Sequence, residues 1–175
     1  MKTINDNKKL LEVNMSKVYA ICGKICSGKS YYADELKEQH NAVILSVDEL
    51  TLYLIDNEQG ESYDFLVNKA KSYLLKKAVD IIEINSNVIL DWGFWTSKER
   101  EKVNQYFNQY NITVEWHYID ITDEKWKELI KIRNNEIEKQ NNLTDFYVDS
   151  ELTNKFLLQF EEPDNNDIDV WVDNK

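Results

Sequence analysis

Residues 23–30 read Gly-Lys-Ile-Cys-Ser-Gly-Lys-Ser and satisfy every fixed position of G-x-x-x-x-G-K-[ST]. Each residue type has a physical job at that spacing. Gly23 and Gly28 let the backbone wrap closely around an anion, so that several N–H groups point inward. Lys24, Ile25, Cys26 and Ser27 form the body of the loop between them. The helix that follows adds its positive dipole end, and Tyr31 joins the expected contact set there. Lys29 supplies a mobile charge for the outer phosphates of ATP, and Ser30 supplies a hydroxyl for Mg²⁺. A loop of this kind implies nucleotide binding. It does not by itself specify a reaction.

Two aspartates follow apolar runs. Asp48 comes directly after AVILSV and Asp91 ends NVILD. An acid in that position sits at the lip of a sheet, where one carboxylate can hold the water shell of Mg²⁺ and another can accept a proton from a substrate hydroxyl. The four-apolar-then-Asp pattern assigns Asp91 to Mg²⁺ and leaves Asp48 as the candidate base, with Glu49 as its fallback. The competing use of both acids is to cap the next helix.

Of 21 basic side chains only Arg100 and Arg133 are arginines. Arginine gives planar, bidentate contact to phosphate that lysine cannot copy. Arg133, in KELIKIRNNEIEK, is the candidate lid residue that neutralises charge on the transferring group. Arg100, one turn into the helix after Asp91, could reach substrate or phosphate. A surface ion pair is the alternative for each. Trp92 and Trp95 in DWGFW could wall a small-molecule pocket or pack as core. Cys22 reads as a buried thiol, and Cys26 lies in the loop itself. His40 and His117 are far apart in the sequence with no third ligand, so no zinc site is expected.

These residues need a scaffold. Val18–Cys22, Ala42–Val47, Asn87–Asp91, Thr113–Ile121 and Ile168–Val172 are apolar runs of strand length. Helical spacing predicts helices over 29–40, 48–56, 63–85, 97–110, 123–139 and 149–161. Alternation of continuous apolar strands with helices predicts an α/β fold, a three-layer αβα stack around a parallel sheet. Ligands in such sheets bind at the carboxyl ends of the strands, where Gly23, Asp48 and Asp91 fall.

The length of 175 residues suits one domain, 1–175, with residues 1–16 as an arm or short helix. Hydrophobic residues at 42% and aromatic residues at 12% exclude a disordered chain. No apolar run reaches the roughly 18 residues of a membrane helix, and two cysteines exclude a disulfide scaffold. The polar first residues show no secretory signal, so a reducing, cytoplasmic setting is the expectation. The net charge of −11 argues against nucleic acid as a partner and slightly favours cationic or neutral small substrates.

The loop, ILSVDEL, VILDWGFW followed by KEREKV, and IKIRN together resemble the zeta-toxin-like and chloramphenicol-phosphotransferase-like branch of P-loop kinases. DWGFW and the Phe160-Glu161-Glu162-Pro163 tail are similar to a bacterial subgroup of AAA-type ATP-binding proteins with D-F-G-F-W and F-E-x-P segments. The resemblance spans about residues 17–165. It implies a P-loop NTPase fold with a five-stranded parallel sheet in the kinase order 2-3-1-4-5, a lid near 123–148, ATP with Mg²⁺, and phosphoryl transfer to a small-molecule hydroxyl with Asp48 as base. Two positions depart from the pattern: Thr51 and Leu129 stand where relatives often carry arginine. The expectation is an ATP-dependent small-molecule kinase. The alternatives are a polynucleotide 5′-kinase and a nucleotide-dependent switch without an acceptor.

Overall fold

A computed structural model of the chain describes residues 16–54, 63–140 and 147–174. The expected arm up to residue 15, the 57–61 loop and positions 141–146 of the expected lid lie outside the described residues. Five strands, β1 (Val18–Gly23), β2 (Ala42–Ser46), β3 (Asn87–Asp91), β4 (Val114–Asp120) and β5 (Val170–Asp173), form one parallel sheet in the order β2-β3-β1-β4-β5. The helices are α1 (Lys29–His40), α2 (Val47–Leu54), α3 (Tyr63–Glu83), α4 (Ser97–Asn108), α5 (Asp123–Gln140) and α6 (Ser150–Gln159). The fold class and the strand order are those expected. Parallel neighbours require crossovers, and the helices supply them.

Alternation along β1 divides the interior. Val18, Ala20 and Cys22 enter a core with Leu74, Ala78, Val88, Leu90 and Phe107, whereas Tyr19 and Ile21 enter a second core with Ala33 and Leu36 of α1. Both faces of the strand are therefore dry. This is why VYAIC reads as a continuous apolar run and not as an alternating one. The register then sets the site. Ser46 pairs with Asp91 and Asp91 with Ile21, so the ends of β2, β3 and β1 are level, and the loop begins two residues further on at Gly23.

Several element ends differ from the sequence reading by one or two residues, for stated reasons. Helix α3 ends at Glu83 because Asn85 turns left-handed at φ 61, with Asn85 N–H donating to the Ile82 carbonyl at 2.9 Å and Ser86 N–H to the Ile81 carbonyl at 3.2 Å. Helix α4 ends the same way, with Asn111 at φ 56 and Ile112 N–H donating to the Phe107 carbonyl at 3.1 Å. In a chain with four glycines, asparagine takes over the left-handed cap. The final strand starts at Val170; just before it the Asp169 N–H donates to the Trp116 carbonyl at 3.0 Å, and the Asp169 carboxylate, a side-chain oxygen, accepts from the Trp116 N–H at 2.8 Å.

His117 on β4 is buried. Its Nδ1 lies 2.8 Å from the Tyr32 hydroxyl and its Nε2 lies 3.2 Å from a Glu115 carboxylate oxygen. A neutral ring that accepts from tyrosine and donates to glutamate satisfies both nitrogens. His40 stacks on Tyr19, which also meets His117 edge-on, yet no group of three metal ligands forms among the described residues. Burial pulls the His117 pKa below its ordinary value, against the opposing pull of Glu115. A depressed folded pKa means that the unfolded chain binds the proton more readily. The stability contributed by neutral His117 is thus complete above about pH 6.5 and is lost as pH falls below that value through the lower folded pKa. In urea titrations, wild type should lose more stability between pH 7.5 and 5.5 than His117→Gln does.

Candidate phosphate-binding site

The loop leaves β1 through Gly23 at φ 151, where a Cβ would stand 3.0 Å from Ser27 Oγ and 3.1 Å from the Ile119 carbonyl oxygen. Only glycine fits there. Cys26 at φ 57 and Gly28 at φ 94 make the left-handed turns that curl the loop. Ser27 is fully buried, and its hydroxyl has no hydrogen-bond partner among the described residues. The Lys29 ammonium folds back over the loop and donates to the Lys24 carbonyl at 2.8 Å and the Gly23 carbonyl at 3.4 Å. Burial pulls its pKa down, while the charges of Asp91 and Asp48 push it back up.

Both aspartates line the same cavity as Lys29. Asp91 is 7% exposed at the end of β3 and lines the same cavity as Ser30. Burial raises its pKa above the ordinary carboxylate value, Lys29 and Ser30 oppose the rise, and Asp34 and Glu49 add to it. A hydroxyl and a carboxylate lining one cavity are hard oxygen donors of the kind Mg²⁺ takes alongside phosphate and water, so the residues fit that ion. Asp48 is exposed in the first turn of α2. Capping falls to other residues: Ser46 Oγ accepts from the Glu49 N–H at 3.2 Å, and Thr96 with Glu99 forms a capping box on α4. Thr51, in the position where relatives carry arginine, is buried and donates to the Val47 carbonyl at 2.9 Å, so it brings no charge to the site.

Helix α5 touches the loop along one face. Lys24 pairs with Asp123 at 2.5 Å, Trp126 Nε1 donates to the Ile25 carbonyl at 2.6 Å, and Arg133 Nη1 reaches Cys26 Sγ at 3.5 Å. The spacing of Asp123, Trp126 and Arg133 repeats at about three and seven residues, which places them on one side of a helix. Leu129 lies on the same side and packs with Trp126 and Ile121.

A cavity of about 1250 Å³ opens from the loop. The loop residues Ile25–Ser30, with Tyr31, Asp48, Asp91, Trp92 and Arg133, line it. Glu49, Leu52, Tyr53, Asp34 and Glu136 add acidic and apolar wall. Of the residues expected from sequence, this cavity unites the loop, Asp48, Asp91, Trp92 and Arg133.

Trp95 and Arg100 are not part of its lining. Trp95 packs edge-on against Phe156 of α6 at 5.1 Å, in a cluster with Trp126 and Ile121. A side chain at Gly93 would run into the Trp95 indole. Arg100 is 4% exposed, and its Nη1 donates to the Phe94 carbonyl at 3.0 Å and the Glu161 carbonyl at 3.2 Å. Glu161 in turn donates its N–H to the Trp95 carbonyl at 2.8 Å and accepts from the Ser97 N–H at 2.8 Å and the Ser97 hydroxyl at 2.6 Å. Phe160 stacks on Phe156 at 4.8 Å. DWGFW and the Phe160–Pro163 tail are therefore one packed unit. Arg100 clamps carbonyls where the sequence suggested substrate or phosphate.

A family model described as an AAA domain matches residues 18–163. The chain belongs to this AAA domain family. No curated protein matches it in sequence. Its fold is similar to APS kinase CysC of Mycobacterium tuberculosis in complex with AMPPNP and APS, with TM-score 0.65 and 15% identity over 92% of this chain and 90% of that one. It is similar to Kti12 of Chaetomium thermophilum in complex with ADP-AlF3, with TM-score 0.65 and 13% identity over 89% and 87%. It is also similar to a gluconokinase from Sinorhizobium meliloti 1021, with TM-score 0.61 and 13% identity over 91% and 83%. At these identities the likeness is one of fold, the P-loop kinase fold.

In this AAA domain the sequence reading missed the braces of the loop. Asp123, Trp126 and Asn174 carry no local motif, and their partners lie about a hundred or more residues away in the chain. Arg100→Ala should lower unfolding free energy by about 2–4 kcal/mol, because two buried carbonyls lose their charged donor. Urea denaturation measures this. A substrate contact would instead leave stability unchanged and raise KM for an acceptor.

Proposed function

We propose that this AAA domain is a phosphotransferase that moves the γ-phosphate of Mg·ATP to a hydroxyl of a small molecule, within the zeta-toxin-like and chloramphenicol-phosphotransferase-like branch of P-loop kinases. The observation that carries the reading is the convergence of Lys29, Ser30, Asp91 and Asp48 on one cavity. The loop backbone and Lys29 hold the polyphosphate. Ser30 and Asp91 hold Mg²⁺, which when bound neutralises charge on the phosphate oxygens. Asp48, exposed on the first turn of α2, orients the acceptor hydroxyl and takes its proton. Arg133 reaches the same cavity from α5 and neutralises charge on the transferring group.

The wall beyond the loop supports a small, non-anionic acceptor. Asp34, Asp48, Glu49 and Glu136 line the cavity beyond the loop, against Lys37 and Arg133. A polynucleotide end would bring further phosphates against these carboxylates. A nucleotide-dependent switch is favoured by one feature, the apolar Leu129 on the face of α5 that touches the loop.

Release of ADP from Mg·ATP by the purified chain, measured across hydroxyl-bearing metabolites and antibiotics, separates these readings. A kinase gives ADP release that depends on one acceptor class and is insensitive to salt. A switch gives slow release that no acceptor changes, and a polynucleotide kinase gives steep salt dependence. Asp48→Asn should lower kcat by about 10²–10⁴-fold, the usual range for a general base, and leave ATP affinity within about twofold. Lys29→Met should weaken ATP binding itself, as calorimetry would record.

A further inference from the structure

Asn174 follows β5 and sits against the loop. Its backbone N–H donates to the Asp120 carbonyl at 2.9 Å, which extends the pairing with β4. Its side-chain Nδ2 donates to the Ser27 carbonyl at 2.8 Å, and its Oδ1 accepts from Lys125 Nζ at 3.0 Å. The fit is close, since a Cβ on Gly28 would come within 3.1 Å of Nδ2.

We propose that Asn174 is a positioning residue for phosphate binding, setting the orientation of the Ser27–Gly28 peptide. The inference rests on the reading of the loop as a nucleotide site. The argument is geometric. The Ser27 carbonyl and the Gly28 N–H belong to one planar trans peptide, so they point in opposite directions. Drawing the carbonyl outward to Asn174 turns the Gly28 N–H away from Asn174, toward the concave side of the loop. Gly28, at φ 94, is free enough to let that peptide rotate unless something holds it. Ser27 has its own hydroxyl without a partner, so its side chain does not hold the turn.

The amide is suited to this position by chemistry. It donates to a carbonyl from one atom and accepts from an ammonium at the other. Aspartate would keep the bond to Lys125 but would set an oxygen against the Ser27 carbonyl oxygen. Alanine would remove both bonds. Lys125 orients the amide so that nitrogen and not oxygen faces the loop, which makes it part of the same device.

The test uses the full chain and isothermal titration with ADP and with AMPPNP, each in Mg²⁺, alongside the thermal midpoint without nucleotide. Asn174→Asp and Asn174→Ala should each weaken both nucleotides by about tenfold or more, with the midpoint within about 3 °C of wild type. Lys125→Met keeps the donor to Ser27 and should weaken binding by about threefold. Should the Asn174 variants prove too unstable to titrate, the Lys125→Met result decides. Unchanged affinity in the variants overturns the proposal, as does a fall in midpoint with affinity intact, which marks a role in packing alone. Failure of wild type to bind either nucleotide overturns the nucleotide reading itself, and the wild-type titration reveals that case directly.

Discussion

A loop that grips phosphate with its own backbone has a problem before any phosphate arrives. Its N–H dipoles must converge, and converging dipoles of like sense repel. The peptide units could relieve this by rotating, above all next to glycine. In this chain the carbonyl side of the loop is occupied instead. Lys29 holds the carbonyls of Gly23 and Lys24, Trp126 holds that of Ile25, and Asn174 holds that of Ser27. Because each peptide is planar, a donor fixed to the carbonyl fixes the amide on the far side. Three different regions, the loop's own lysine, helix α5 and the residue after β5, share this task. The positions of β4, α5 and β5 in the fold follow from it as much as from core packing.

The same constraint explains the order of the sheet. β1 carries the loop and lies at the centre, with β3 on one side bringing Asp91 level with Ile21, and β4 on the other delivering α5. A one-residue slip of β3 would move Asp91 to the opposite face of the sheet and take it out of the cavity that Ser30 and Lys29 line. Both faces of β1 are buried, so the register is held by two cores at once. Lys29 then lies between a desolvating environment and two carboxylates. Its charge is available to a phosphate and balanced in the absence of one by loop carbonyls.

How much of this could be read from residues alone depended on range. The strands and the loop are local patterns: VYAIC, AVILS and NVILD are continuous apolar runs, and the glycines at 23 and 28 sit where left-handed or crowded backbone demands them. The convergence of Asp48 and Asp91 was legible too, because parallel strands of similar length end together. The braces were not. Trp126 and Ile25 are 101 positions apart, and Asn174 and Ser27 are 147 apart. Nothing in WVDN distinguishes an asparagine that orients a peptide from one that is solvated. Arg100 was misleading for a related reason. Its scarcity suggested phosphate, but a guanidinium, with several N–H donors, is equally suited to tying together the carbonyls of two separate segments.

The fate of DWGFW shifts attention to where acceptor choice must reside. Gly93 makes room for the Trp95 indole, Trp95 meets Phe156, and Arg100 ties the Phe94 carbonyl to that of Glu161. The aromatic segment and the acidic tail hold α6 to the sheet, and a change in either must be matched in the other. They are a structural signature. Of the three aromatic side chains in that segment, Trp92 is the one that lines the cavity. The remaining wall comes from the end of β2, the exposed face of α2 and the outer turns of α1 and α5, with Tyr53 and Tyr31 at 88% and 74% exposure among the apolar side chains. Tyr31 and Tyr53 belong to neither core, so they can change at little cost to the fold. In a scaffold whose loop is braced through its carbonyls and whose interior is fixed by two cores, that rim is the part of the cavity wall free to vary, and under the proposed phosphotransfer it is where acceptor choice would reside.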